Sequence, residues 1–193
     1  MLITISGPSG SGKSTVAEKL GKRLRLPVLD TGKVFRTMAR RSGMDLVEFL
    51  SYTAAHPEVD RGLDREIIRR AGQRHVIVGR LAGWMTKRKR LPAFRIWLDA
   101  SQKVRAGRIA GRENGDAKSE LRRLAARDSA DRRRYLRAYG LDVNDRSIYH
   151  AVIRTDRLTL KEVVDATIKE FAVWQKKLKK KPAKRQPKPS RKR

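Results

Sequence analysis

The first fifteen residues, MLITISGPSGSGKST, leave few folds open to this chain. Residues Leu2 to Ile5 form an apolar run typical of a short buried strand. The next eight residues, Gly7 to Ser14, fit the pattern G-x-x-x-x-G-K-[ST] at every specified position. Glycines allow successive backbone amides to turn inward around phosphate oxygens, and a helix that follows adds its positive amino end. The segment therefore predicts a strand, a phosphate-binding loop and a helix.

The loop predicts a nucleotide as ligand. Lys13 is expected to reach the β- and γ-phosphates of ATP, and the hydroxyl of Ser14 to bind Mg²⁺. The residues expected to hold the phosphates are Gly7, Pro8, Ser9, Gly10, Ser11, Gly12, Lys13, Ser14 and Thr15. The motif predicts the ligand class, a nucleotide with Mg²⁺, and leaves the substrate open.

The composition predicts one compact domain with a tail. The chain has 193 residues, of which 39% are hydrophobic, enough for one core but short for two. It contains no cysteine, which excludes disulfides and thiol chemistry, and its three histidines show no spacing typical of metal ligands. No apolar run approaches the roughly 18 residues of a membrane span, and no basic segment precedes the first strand. We expect a cytoplasmic protein without membrane contact.

The charge of the chain is unusual for an enzyme of small metabolites. Lysine and arginine total 48 against 20 acidic residues, a net charge of +28. Eleven of the basic residues and no acidic one lie in 175–193, which leaves +17 on residues 1–174. We expect residues 1–174 to form the domain and 175–193 to be disordered alone. Such charge attracts polyanions, so RNA or ribosome contact through tail and body is a second prediction.

Alternating strand and helix patterns follow the loop. Strands are predicted at Leu2–Ile5, Pro27–Asp30, His75–Val78, Phe94–Leu98 and Ala151–Arg154. Helices are predicted over residues 13–26, 31–41, 44–55, 58–71, 101–113 and 117–138, and in a last segment capped by Thr159. The alternation predicts an α/β fold with a five-stranded parallel sheet flanked by helices.

Arginines near strand ends are candidates for binding phosphates. Arg36 follows the second strand and Arg80 the third, and ligands bind at the carboxyl edge of such sheets. Arg127, Asp131 and Arg134 share one face of a later helix by their spacing. That spacing alone fits a solvated helix face as well as it fits a phosphate site.

Eight segments carry a family resemblance from Met1 to about Phe171. They are ITISGPSGSGKST, TGKVFR, HPEVDRGLDR, VGRLAGWM, FRIWLDAS, VRAGRIAGRE, RDSADRRRYLRAYGLDVNDRSIY and TDRLTLKEVVD. In this order and register they resemble the archaeal-type cytidylate kinases, a branch of the P-loop nucleoside monophosphate kinases.

The resemblance implies a P-loop NTPase fold with helices that bind the nucleoside monophosphate and an arginine-rich lid. It implies transfer of the ATP γ-phosphoryl group to CMP or dCMP. In such enzymes the residues matching Arg36 and Arg80 hold the acceptor's phosphate. Those matching Arg127 and Arg134 grip phosphates from the lid and, with Lys13, form the catalytic set. The residue matching Asp131 contacts the pyrimidine or orients the lid.

One position departs from the family pattern. Val78 stands where these kinases usually carry an acidic residue that helps to hold Mg²⁺. Either the change slows the chemistry, or Asp30 or Asp99, also at strand ends, replaces the missing carboxylate.

Two alternatives stay open on the sequence alone. One is an RNA- or ribosome-associated P-loop protein with weak or lost kinase activity. The other is a kinase for a different acceptor, such as AMP, UMP or a sugar. The sequence does not decide among CMP, dCMP and UMP, nor the oligomeric state.

Overall fold

A computed structural model describes residues 1–72 and 74–180. The strands are β1 (Leu2–Ser6), β2 (Val28–Asp30), β3 (His75–Val78), β4 (Ala93–Asp99) and β5 (Ala151–Arg154). The helices are α1 (Lys13–Leu24), α2 (Thr31–Arg41), α3 (Leu46–Ala55), α4 (Pro57–Ala71), α5 (Ala82–Arg88), α6 (Gln102–Glu113), α7 (Ala117–Tyr139) and α8 (Leu160–Lys180).

The five strands form one parallel sheet in the order β2-β3-β1-β4-β5. β1 lies in the centre, where Ile5 is in register with Val78 on one side and with Ile96 on the other. The chain winds outward from β1 in both directions, so a crevice opens beyond its carboxyl end. The phosphate loop leaves β1 at this crevice, in the middle of the sheet edge.

Helices cover both faces of the sheet because both faces are apolar. Ile3 and Ile5 are fully buried and pack with α1 and α8, including Leu20 and Phe171. Leu2 points to the opposite face, as alternation along a strand requires, and joins the cluster formed with α4, α5 and α7. Burial on both faces explains why the strands read as continuous apolar runs.

Helices α6 and α7 form a hairpin at the edge of the crevice. Ala106 and Ile109 of α6 pack with Leu124 of α7 in a small cluster separate from the two sheet faces. The packing fixes the start of α7, so the rest of this long helix crosses the crevice toward α4.

The predicted α/β fold with its five-stranded parallel sheet is confirmed. Helix α5 was missing from the prediction, because seven residues that include Gly83 are too few to show a helical period. The capping role predicted for Thr159 is also confirmed, since Glu162 N donates to Thr159 Oγ1 at 3.3 Å and Thr159 N donates to Glu162 Oε2 at 2.7 Å.

Helix α8 corrects the predicted start of the tail. It continues to Lys180, so residues 175–180 are helical where the sequence predicts disorder from 175 onward. Lysines favour helices, and nothing in this stretch stops a helix that is already packed on the sheet. The rest of the predicted tail, 181–193, lies outside the described residues. Within the residues described, no helix has the length and apolar character needed to cross a membrane.

Candidate active site

The phosphate loop follows β1 at the carboxyl edge of the sheet. Gly7 has a φ of 147°, and a Cβ at this position would lie 2.2 Å from the carbonyl oxygen of Leu98. Only glycine therefore fits at the first position of the motif. Helix α1 begins at Lys13, and no side chain in the described part of the chain caps its amino end. Its first turn thus presents uncapped amides and a positive dipole to the loop, which suits a phosphate.

The Lys13 side chain lies inside the loop. Its Nζ donates a hydrogen bond to the carbonyl oxygen of Pro8 at 2.6 Å. Burial, assisted by the neighbouring charge of Arg80, lowers the pKa of Lys13 to about 7, and the Asp30 carboxylate opposes part of this shift. A phosphate in the loop would supply negative charge and raise the pKa again. The Lys13 amine therefore lies where a bound anion would most stabilise its charged form.

Ser14 is joined to the second strand. Its Oγ donates a hydrogen bond of 2.6 Å to Oδ2 of Asp30, the last residue of β2. The other oxygen of Asp30 accepts from Lys33 N at 3.0 Å and so caps helix α2. A hydroxyl and a carboxylate at this place match the oxygen ligands that Mg²⁺ prefers.

The two carboxylates that the sequence offered in place of Val78 differ in their surroundings. Val78 itself is 1% exposed in the apolar core, so the end of β3 contributes no charge. Asp99, at the end of β4, forms an ion pair of 3.1 Å with Arg146. Asp30 alone of the two contacts a side chain of the loop. It is thus the better candidate for the missing carboxylate.

A cavity of about 260 Å³ lies between the loop and helices α2, α3, α4 and α7. It brings together most of the residues that the sequence singled out as site candidates. Those lining it are Ser9, Gly10, Lys13, Ser14, Arg36, Arg80, Arg127, Asp131 and Arg134. The sequence placed them on four separate segments. Their convergence at one cavity argues against the alternative that the arginines are only solvated surface residues.

Arg80 is nearly buried and has partners on both the loop and α7. It forms an ion pair with Asp131 of α7 and donates to Ser9 Oγ at 2.8 Å, while Asp128 lies 3.8 Å away. Burial lowers the pKa of Arg80 to about 10, and repulsion from Arg127 adds to the shift. The guanidinium stays charged at neutral pH, and it joins the loop to helix α7.

Arg127 and Arg134 lie two turns apart on α7 and differ in their partners. Arg134 Nε lies 3.1 Å from Asp60 Oδ2, and its guanidinium faces the rings of Phe35 and Tyr135 at 5.2 and 4.9 Å. Among the residues that the structure describes, the buried Nε of Arg127 has no hydrogen-bond partner, and burial lowers the pKa of Arg127. Within 1–72 and 74–180, neither Arg127 nor Arg36 forms an ion pair, so both have charge available for an anion.

A second cavity of about 380 Å³ lies on the other side of the loop. Ser11, Gly12 and Thr15 line it together with Arg108 and Leu158. The predicted phosphate-loop residues are thus divided between the two cavities, apart from Gly7 and Pro8, which line neither of them. Arg108 closes one wall by donating to Thr155 Oγ1 at 2.9 Å and to its carbonyl oxygen at 2.7 Å.

A buried ion pair that supports the phosphate loop was not predicted from the sequence. Arg105 of α6 is 4% exposed, and its Nη2 lies 2.8 Å from Asp128 Oδ2 on α7. Its other groups donate to the carbonyl oxygens of Ser9 and Ala100, both at 3.1 Å. No local spacing reveals this pair, because 23 residues separate its partners.

Two carboxylates on α4 were also missed. Asp60 and Asp64 line the first cavity, and Tyr139 of α7 donates a hydrogen bond to Asp64. Both belong to the HPEVDRGLDR segment, which supported the family resemblance without an assigned role. Their spacing of four residues was the one available signal, since it places both on the same face of a helix.

Comparison with known proteins agrees with this site. A sequence profile of the cytidylate kinase-like family matches residues 2–157. This range includes every residue that lines the first cavity and the residues of the second cavity up to Thr155. The chain belongs to the cytidylate kinase-like family. The resemblance drawn from the eight segments is thereby confirmed.

Relatives in this family come from several archaea. The chain is 43% identical over 158 residues to the cytidylate kinase of Pyrococcus horikoshii, a match that covers 81% of each chain. It is 39% identical over 159 residues to the cytidylate kinase of Methanocaldococcus jannaschii, covering 81% of this chain and 89% of the relative. The matches thus cover most of each protein.

Solved structures of other kinases share the fold of this family member. A shikimate kinase from Bacteroides thetaiotaomicron superposes with a TM-score of 0.58 at 13% identity, covering 91% of this chain and 98% of the other. A gluconokinase from Sinorhizobium meliloti gives 0.54 at 18% identity, covering 92% and 94%. At these identities the likeness concerns the fold alone, a P-loop kinase fold.

Proposed function

We propose that this protein is a cytidylate kinase, which transfers the γ-phosphoryl group of ATP to CMP or dCMP and yields CDP or dCDP. The observation that carries the proposal is the first cavity, where the phosphate loop meets Arg36, Arg80, Arg127 and Arg134. Four guanidinium groups around one loop suit a reaction between two phosphate-bearing substrates. The printed names of the archaeal relatives give the acceptor class.

The donor occupies the loop and the second cavity in this proposal. The phosphates of ATP lie on residues 7–15, against the uncapped start of α1. The adenine lies in the second cavity, where apolar Leu158 and the flat guanidinium of Arg108 offer surfaces for a ring. Lys13 Nζ exchanges its bond to Pro8 for the β- and γ-phosphates, with a side chain long enough to move without rebuilding the loop.

The acceptor occupies the first cavity. Arg36 and Arg80 bind its phosphate, and Arg80 must then exchange its contacts with Asp131 and Ser9 for phosphate oxygens. Because the ion pair already orients Arg80 beside the loop, its guanidinium reaches the phosphate by exchanging partners and not by entering the cavity from outside.

Catalysis in this proposal comes from positioning and charge. Arg127 and Arg134 of α7 surround the transferring group together with Lys13, and they offset charge that spreads over its oxygens. Closure of α7 excludes water, which would otherwise accept the phosphoryl group. A phosphate oxygen of CMP or dCMP attacks the γ-phosphorus of ATP while the bond to the bridging oxygen breaks and ADP leaves, so no side chain needs to form a covalent bond.

Mg²⁺ fits the polar pair at the end of β2. Ser14 and Asp30 would hold it directly or through water, and the ion would neutralise charge on the β- and γ-phosphates. No cluster of three or more metal-ligating side chains occurs in residues 1–72 and 74–180. A cation that takes its remaining ligands from phosphates and water does not require one.

The competing proposal of an RNA- or ribosome-associated protein without kinase activity is not favoured, since the curated relatives carry the name cytidylate kinase. RNA contact through the basic tail and body, and a cytoplasmic location, stay predictions from the sequence.

The test is ADP release with Mg²⁺-ATP and each of CMP, dCMP, UMP and AMP, with a Lys13→Ala variant alongside. We expect rapid turnover with cytidine nucleotides and a loss of at least about 100-fold in the variant, as for other preorganised charge contacts. Absence of turnover with all four acceptors would overturn the proposal. A variant as active as the wild type would overturn the role of Lys13.

A further inference from the structure

One face of α7 runs the full length of the first cavity. Arg127, Asp131, Tyr135 and Tyr139 follow one another at intervals of four residues and all line it. At 1.5 Å per residue this row spans about 18 Å. Its first member lies at the phosphate loop, and its last lies beside α4. The cavity therefore has a phosphate end, rich in arginine, and a far end near Tyr139.

The far end combines apolar walls with two carboxyl groups. Leu46, Leu50 and Leu63 of α3 and α4 line it, as do Asp60 and Asp64. An apolar pocket with a few placed polar groups is the usual setting for recognising a flat ring. Its distance from the loop suits the base of an acceptor whose phosphate lies at Arg36 and Arg80.

The two carboxyl groups have different partners. Asp60 is 4% exposed and faces Arg134 Nε at 3.1 Å, so it serves to position that arginine. Asp64 Oδ2 accepts the hydrogen bond of Tyr139, and its Oδ1 has no hydrogen-bond partner among the residues described. Asp64 has no ion pair in the same part of the chain.

A purely structural role does not account for Asp64. Burying a carboxyl group costs free energy unless its oxygens are satisfied, and a tyrosine hydroxyl can be satisfied by a neutral acceptor. Burial raises the pKa of Asp64 to about 6, and the nearby Asp60 adds to the rise, so the group is still largely ionised at neutral pH. A carboxylate acceptor, Asp64, thus lies at the wall of the cavity although its burial costs free energy.

We propose that Asp64 selects the base of the acceptor by accepting a hydrogen bond from the exocyclic amino group at C4 of cytosine. The inference rests on the proposed function, because it assigns the base to this cavity. Uracil carries a carbonyl oxygen at C4, so two acceptors would face each other and neither would be satisfied. Sites that hydrogen-bond a substrate group discriminate strongly against analogues that lack it.

The Tyr139 hydroxyl makes an amide replacement informative. In Asp64→Asn, the amide oxygen takes the hydrogen bond from Tyr139, which turns the NH₂ group toward the base. That group donates to the C4 carbonyl of uracil and opposes the amino group of cytosine. We expect the ratio of kcat/KM for CMP to that for UMP to fall by about 100-fold or more.

Glu66→Gln is the matched control. Glu66 lies on α4 two residues from Asp64, is paired with Arg69 and Arg70, and does not line the cavity. We expect it to leave the CMP to UMP ratio unchanged. Dissociation constants for both nucleotides, measured by calorimetry, accompany the kinetics, and circular dichroism shows that each variant is folded.

A ligand variant tests the same contact in the unmodified protein. The pyrimidin-2-one analogue of CMP lacks the amino group at C4 and keeps the rest of the nucleotide. We expect the wild type to bind it at least about tenfold more weakly than CMP, as for the loss of a hydrogen bond to a charged group. This measurement stands even when Asp64→Asn does not fold.

The outcomes separate the inference from the proposed function. Turnover of CMP with an unchanged ratio in Asp64→Asn, or equal binding of CMP and the analogue, overturns the inference alone. Binding of CMP without turnover overturns the kinase activity, while the binding ratios still decide the role of Asp64. A wild type that binds neither CMP nor UMP overturns both.

Discussion

Ser14 and Asp30 are joined by a hydrogen bond of 2.6 Å between Ser14 Oγ and Asp30 Oδ2. The bond links the phosphate loop to the end of β2, across β3, whose own end carries Val78. A carboxylate next to the loop is thus supplied from a neighbouring strand. The proposed Mg²⁺ site depends on Asp30, which supplies the carboxylate that is missing at Val78.

Replacement of Asp30 by asparagine should weaken the use of Mg²⁺. Asparagine keeps the cap on α2 but loses the charge, so we expect kcat/KM to fall by about 10- to 100-fold and half-maximal activity to require more Mg²⁺. Titration of Mg²⁺ at fixed ATP measures the effect. Asp99→Asn, which disturbs the pair with Arg146 instead, serves as control and should show little change. Equal loss in both variants would contradict the assignment.

Binding of ATP should be accompanied by proton uptake at Lys13. The pKa of this lysine is about 7 in the free protein, so at pH 8 most of it is neutral, and bound phosphates raise the pKa and add a proton. Affinity for ATP should therefore fall by up to about tenfold per pH unit above pH 7, and become nearly independent of this group below it.

Calorimetry at pH 8 in buffers of different ionisation enthalpy measures the proton uptake. ATP is fully ionised at that pH, since the second ionisation of a phosphate lies near pH 6, so the signal belongs to the protein. A Lys13→Met variant should show no uptake. The same uptake in the variant as in the wild type would rule out Lys13 as the source.

Loss of Asp131 should destabilise the protein in the absence of ligand. Asp131→Asn replaces the charged partner of the buried Arg80 guanidinium by a neutral amide, with the next carboxylate, Asp128, at 3.8 Å, and we expect the free energy of unfolding to fall by about 3 kcal/mol. Phosphate or CMP should restore part of the melting temperature by replacing the lost charge.

Asp142→Asn gives the comparison for this prediction. It removes an exposed ion pair of 2.9 Å between Asp142 and Arg132, the residue that follows Asp131 on α7. Such a pair contributes less than about 1 kcal/mol to stability. Thermal unfolding with and without phosphate decides the matter. Equal shifts for the two variants would show that Asp131 does not support Arg80.

Gly79 should not tolerate a side chain. A Cβ there would lie 2.1 Å from Thr31 Oγ1, so Gly79→Ala forces β3 and α2 apart. We expect a loss of about 2 kcal/mol in stability and a weaker hold on the acceptor through the adjacent Arg80. Gly107→Ala on α6, where the added group meets nothing within 4 Å, should instead stabilise the helix by up to about 1 kcal/mol. Urea unfolding compares the two.

The local features of this fold were predictable from the sequence, because apolar runs and the glycine loop are local signals. The strand His75–Val78 and the helix Thr31–Arg41 were predicted with the bounds that the structure gives them. Helix α5 was not, since Gly83 and six neighbours show no helical period. Near the carboxyl end, the lysine-rich composition predicted disorder. Because lysine also favours helices, helix α8 continues through this stretch as far as Lys180.

The candidate site was predictable where a motif or a strand end marks it, as for Lys13 and Arg80. The pairs that hold those residues were not, since Arg105 meets Asp128, and Arg134 meets Asp60, only through tertiary packing. The choice of Asp30 over Asp99 likewise depends on a tertiary contact. The strand that ends in Asp99 lies beside β1, yet it is Asp30, from across β3, that accepts the hydrogen bond of Ser14, and a single sequence does not reveal that contact.

Asp30 joins the two proposed substrate sites. One oxygen accepts from Ser14 in the proposed donor site, while the other caps α2, the helix that carries Arg36 of the proposed acceptor site. A donor that drew on the first oxygen would also act on the helix that the second oxygen holds. The affinities of the two substrates would then be coupled through one carboxylate, and by thermodynamic reciprocity each substrate would change the affinity of the other by the same factor.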